Sequence, residues 1–146
     1  METDSVFRCR LRELTEDLAP YRDELSKLSF LLEMSAYCPP EDSAFADEVH
    51  RFPGCQSQVW ARLTGTQKAV HLELTSDTML LRGVFYILML LVNDLPVREF
   101  QDIRFGEVLT VAGWKDLLLG DRTQNLGKLF DNLQTAALSL PEGDTE

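Results

Sequence analysis

The chain has 146 residues, 45% of them apolar, with 14 Lys and Arg against 24 Asp and Glu, which suits one core-forming domain. Its formal net charge of −10 excludes a sequence-tolerant nucleic-acid binder, because such proteins neutralise phosphates with clustered Lys and Arg. Three cysteines are too few for a disulfide framework and point to a reducing compartment, and no apolar run reaches the ~18–20 residues of a membrane span.

The start, Met-Glu-Thr-Asp-Ser, is acidic and lacks the basic-then-apolar layout of a secretory signal. The expectation is a cytoplasmic protein, or one of an organellar stroma or matrix if a presequence was removed. Val6, Leu11, Leu14 and Leu18 predict a helix over 5–17. Pro20 suits the first turn of a second helix, with Tyr21, Leu25, Leu28 and Leu32 as its apolar stripe. That helix ends before Pro39-Pro40, which cannot continue it. Segment 41–54 has a weak pattern compatible with a third strand.

From residue 58 the period changes to two. Val59, Ala61 and Leu63 alternate with Trp60, Arg62 and Thr64; after Gly65-Thr66, Val70, Leu72 and Leu74 alternate with His71, Glu73 and Thr75. This predicts two antiparallel strands, with His71 outward. Ser76-Asp77 is a good N-cap pair for a core helix over Thr78–Val92, apolar nearly all round and ended by Asn93-Asp94 and Pro96. Shorter helices follow around 97–101 and 105–112, and a last helix from about Asp121 turns Leu126, Leu129, Phe130, Leu133 and Ala137 to the core. The order predicts an α+β single domain over 1–140, with N-terminal helices, a small antiparallel sheet and C-terminal helices packed on it; 141–146 is a short acidic tail.

Among candidate functional residues Cys55 stands out, in Phe52-Pro53-Gly54-Cys55-Gln56-Ser57-Gln58, where turn formers and amides lead into a strand. A thiol there lies near a loop tip, and His50 or Arg51 upstream would raise its thiolate fraction. Local sequence leaves open a half-buried Cys at a strand start. Cys9 and Cys38 read as structural, since free cysteines are commonly buried. A Cys38–Cys55 redox pair stays open, because sequence fixes no Cα separation. Neither CxxC nor HxxxH spacing occurs, so no metal site is expected. GxSxG, P-loop and GxGxxG motifs are also absent.

Gly54-Cys55-Gln56-Ser57-Gln58-Val59-Trp60 resembles the reactive-cysteine segment of the SufE family, sulfur acceptors for cysteine desulfurases in iron–sulfur cluster assembly. Three further stretches follow in the family's order. Ser76-Asp77 with Arg82-Gly83 resembles its S-D and K/R-G segment. Ala112-Gly113-Trp114 with Leu118 resembles L-G-L followed by H-L. Asp121-Arg122-Thr123-Gln124-Asn125-Leu126 resembles the start of the last helix. The chain departs from the family's pattern in having no L-G-x-x-L-P after the second helix, no histidine in 117–122, Gly120 for a proline and Asn125 for a glycine.

The resemblance implies a SufE/IscU-like fold and a sulfurtransferase-like role. Cys55 would accept a persulfide sulfur, with Gly54, Gln56, Ser57, Gln58, Asp77 and Arg122 supporting the loop or contacting the partner. It implies two partners, a SufS- or CsdA-like cysteine desulfurase, which the chain would stimulate, and a SufB-like scaffold. No cofactor is implied for this chain, since the pyridoxal phosphate belongs to the desulfurase. A transiently docking monomer that binds neither nucleic acid nor membrane is the simplest expectation. The alternatives are a non-catalytic desulfurase-binding adaptor, sulfur relay to tRNA modification, a cluster scaffold or a thiol redox protein.

Overall fold

The computed structural model describes residues 5–53, 57–118 and 121–143. Helix α1 (Val6–Leu18) begins where the Ser5 hydroxyl accepts the Arg8 N–H, and it buries Phe7, Leu11 and Leu14. Helix α2 (Glu24–Met34) starts later than Pro20, at Asp23, whose carboxylate accepts the Ser26 N–H at 2.7 Å and is held below its usual range by that bond. A single 3-10 turn, Ser35–Tyr37, completes it before the prolines.

The apolar stripe expected on α2 differs from the one that is buried. Leu25 is 74% exposed, whereas Leu31, outside the expected stripe, is 1% exposed. The segment carries apolar residues on overlapping faces, and the closely packed helix α3 (Met79–Val92) selects the face holding Leu31.

Strands β1 (Val59–Thr66) and β2 (Ala69–Ser76) form the antiparallel pair, from Val59↔Ser76 to Thr66↔Ala69. The turn is Gln67-Lys68, two residues beyond Gly65, which lies inside β1 at φ +100°. A Cβ on Gly65 would press on the backbone of Ala69 and on His71 N at 2.9 Å, so glycine is required there. The possible third strand shrinks to one antiparallel bridge, Arg51↔Trp60, flanked by Ala61 N–H to His50 C=O and Phe52 N–H to Val59 C=O.

Trp60, expected to alternate outward, is buried, as is its cross-strand partner Thr75. The segment between α2 and β1 covers this outer face: Phe45 is buried under the Arg62 guanidinium, and the Thr75 hydroxyl donates to Pro39 C=O. His71 is exposed as expected.

Helix α3 is the central element, packed against β2, α2 and the 3-10 turn, with Val84, Phe85, Leu88 and Val92 almost wholly enclosed. Helices α4 (Val97–Asp102) and α5 (Phe105–Ala112) follow. Gly113 at φ +72° ends α5, its N–H reaching the Leu109 carbonyl. Helix α6 (Arg122–Ala137) buries the five residues the periodicity assigns to it and packs on α4, α5 and β1. Gln67 ties the hairpin to this end: its side-chain amide donates to Ala137, Leu138 and Leu140 carbonyls, and its N–H to Pro141 C=O. The result is the expected single α+β domain. Among the described residues no helix is long and apolar enough to cross a membrane.

Candidate functional site

Gly54, Cys55 and Gln56 lie outside the described residues, so the site is built from what surrounds them. The segment carrying them is closed at its base. Phe52 N–H donates to Val59 C=O at 2.8 Å, next to the Arg51↔Trp60 bridge. The described residues on either side of the segment, Phe52 and Gln58, therefore both lie at the start of β1.

The return arm is held on both of its polar backbone groups. Gln58 N–H donates to the Asp77 carboxylate at 3.0 Å. Gln58 C=O accepts the Ser76 hydroxyl at 2.7 Å and Asp77 N–H at 3.2 Å. Ser57 is held through its side chain: the Thr78 hydroxyl donates to Ser57 Oγ at 2.6 Å, and Arg122 Nη2 reaches the same oxygen at 3.4 Å. Arg82 Nη1 donates to Ser76 C=O at 2.7 Å, bracing the segment that does the holding.

This corrects the capping expectation. Thr78 occupies the N-cap position of α3 without a side-chain cap bond, and Asp77 spends its carboxylate on the Gln58 N–H. Three cap-type residues stand in a row where a helix start uses one, and that surplus is the signal by which Ser76 and Thr78 could have been singled out.

Ser57, Gln58, Asp77 and Arg122 are thus brought together, although they come from three separate stretches of chain. Among the described residues Arg122 has no carboxylate within ion-pair distance; its neighbour is Ser57. Thr78, the N-cap residue of α3, and the Arg122 side chain both reach Ser57, and the N-terminus of α3 carries partial positive charge. Arg122 brings a positive charge to this arm and Asp77 a negative one.

His50 is turned elsewhere: its Nδ1 meets the Asp47 carboxylate at 2.8 Å and holds that carboxyl below the usual range. Cys38 is buried, its thiol donating to Leu74 C=O at 3.3 Å. Burial pushes that thiol up to about 11, against the smaller opposing effects of Thr75 and Arg82, so it is held as an inert neutral group. Cys9, by contrast, is exposed on α1 and not buried as expected. Among the described residues no group of three or more His, Cys, Asp or Glu side chains converges as a metal site would require.

A family model described as the SufE, Fe–S metabolism associated domain matches residues 12–137, from α1 through α6. That span takes in the clamp that Ser76, Asp77 and Thr78 form on Ser57 and Gln58, and Arg122. The chain belongs to the SufE family and has a role in iron–sulfur metabolism.

Proposed function

We propose that this protein is a sulfur acceptor and carrier, loaded at Cys55 by a cysteine desulfurase and unloaded to an iron–sulfur scaffold. In the first step the Cys55 thiolate attacks the outer sulfur of the desulfurase's cysteine persulfide. An S–S bond forms at Cys55 as the desulfurase's own S–S bond breaks, and the electron pair leaves on the desulfurase thiolate. No oxidant is consumed, because sulfane sulfur passes between two thiols of like kind. Removing the persulfide product frees the desulfurase thiol for another turnover, which is how such an acceptor stimulates its donor.

The observation that carries this reading is the grip on both polar backbone groups of Gln58, three residues from Cys55. A carrier must present one nucleophile to two partners in turn, and an arm pinned at its base limits where that nucleophile can go. Arg122 reaches Ser57, two residues along the chain from Cys55, and a cation brought near the thiol would raise its thiolate fraction, the nucleophilic form. The net charge of −10 favours encounter with basic partner surfaces, most strongly at low salt.

The test is to incubate the protein with a desulfurase and labelled cysteine, then to measure intact mass without reductant. The expected result is one added sulfur, mapped to Cys55 and absent from Cys55→Ser. No added sulfur beside a competent desulfurase would overturn the relay. Stimulation that survives Cys55→Ser would identify a non-catalytic adaptor.

A further inference from the structure

A groove of about 600 Å³ runs between α1 and α3 and shares no residue with the clamp around Gln58. Its floor is apolar, made by Leu14 of α1 with Ile87, Met89 and Leu91 of α3. Tyr37 and Tyr86 line it as a pair with ring centroids 5.4 Å apart. Tyr37 is 65% exposed and Leu90, also in the lining, 53% exposed. Large apolar side chains gathered in a concavity mark a surface that another molecule covers.

The rim gives the chemistry of that molecule. Glu13, Asp17 and Asp94 stand exposed along it. Glu13 and Asp17 are one helical turn apart on the same face of α1, so their carboxylates follow one another along the groove. The groove's one cation, Arg10, is already engaged. Its Nη1 donates to the carbonyls of Leu90, Leu91 and Asn93 at 3.2, 3.1 and 2.6 Å, closing the C-terminus of α3. The rim is left with an excess of negative charge beside aromatic rings, the combination that attracts Lys and Arg.

We propose that this groove receives an amphipathic helix of a partner protein. That helix would lay apolar side chains at i, i+4 and i+7 on the floor and carry Lys or Arg against Glu13, Asp17 and Asp94. A second copy of this chain is a poor occupant, since each copy carries a net charge of −10. The inference does not depend on Cys55 carrying sulfur.

The probe is a fluorescein-labelled helical peptide with Leu at i, i+4 and i+7 and Lys on the flanking positions, beside a twin with Glu for Lys. Anisotropy titration with the full chain is expected to give saturable binding of the Lys peptide only. Tyr37→Ala, and Glu13→Gln combined with Asp17→Asn, should each weaken it about 10-fold, or ~1.4 kcal/mol. Glu48→Gln with Asp131→Asn, exposed carboxylates outside the groove, should leave it unchanged. Circular dichroism verifies that each variant folds. Four results would each overturn the proposal: no saturable binding, equal binding of the Glu twin, equal weakening by both carboxylate pairs, or self-association abolished by Tyr37→Ala.

Discussion

Replacing Gly83 with alanine tests the packing on which the clamp rests. Gly83 lies where α3 crosses α2, and a Cβ there would meet the Leu31 backbone, its carbonyl carbon at 2.8 Å and Cα at 3.1 Å, with the carbonyl oxygen closer still. Backbone cannot swing aside as a long side chain can. The two helices would have to part by roughly 1 Å to restore an ordinary contact of ~3.5 Å. That movement would open the seam around Leu31 and Leu81, now 1% and 2% exposed.

Overpacking costs about 1–3 kcal/mol, and more where nothing can give. The better helix propensity of alanine offsets about 1 kcal/mol of it. Because the obstacle is backbone and the helix pair is extensively packed, we expect a gross cost of ~3–4 kcal/mol and a net loss of ~2–3 kcal/mol. At ~2–4 °C per kcal/mol this lowers Tm by roughly 5–10 °C, and with m near ~2 kcal/mol/M it lowers the urea midpoint by ~1–1.5 M. Gly127→Ala is the internal control. Its Cβ would meet only Phe105 Cδ2 at 3.9 Å, an ordinary contact, so the midpoint should rise. Urea melts of both variants decide the matter. Gly83→Ala matching or exceeding the wild type, at unchanged m, would refute the argument.

Two further outcomes are expected. Burial raises the Cys38 thiol from 9.0 to about 11, so between those values the folded chain holds a proton that the unfolded chain has lost. Stability should be unaffected by this group below that interval and fall as pH rises through it, and urea melts of Cys38→Ala should show a shallower alkaline decline. Arg122→Ala removes a side chain that contacts Ser57 yet pairs with no described carboxylate. Single-turnover persulfide formation should slow by about 5-fold, the equivalent of ~1 kcal/mol, with the urea midpoint unchanged; equal loss of rate and stability would make its role structural.

Much of the fold was legible because hydrophobic period reports secondary structure directly. The strand alternation placed β1 and β2, and the apolar positions of α6 named its buried face. Period was a poor guide where a segment is apolar on more than one face. In α2 it favoured Leu25 and Leu32, both exposed, over Leu31. It also missed Trp60, because alternation assumes one solvated face and the segment before β1 covers the other.

The site was legible in a different way. A short string around Cys55 pointed to the family, and local chemistry alone left the cysteine's role open. Asp77 was read both as half of a cap pair and, through the resemblance, as a support for the loop; its carboxylate accepts the Gln58 N–H. Thr78 carried no signal beyond belonging to a run of three cap-type residues.

By itself the sequence determined the order of elements, the place of the hairpin and the family, because these depend on neighbours within a few residues or on one contiguous string. The tertiary structure decided which face of α2 is buried, what Ser76, Asp77 and Thr78 hold, why Arg122 matters to Ser57, and that α1 and α3 leave a groove with an acidic rim. Each of these is a meeting of residues distant in the chain. Such meetings depend on how helices cross and which backbone groups need partners, and no local pattern encodes them.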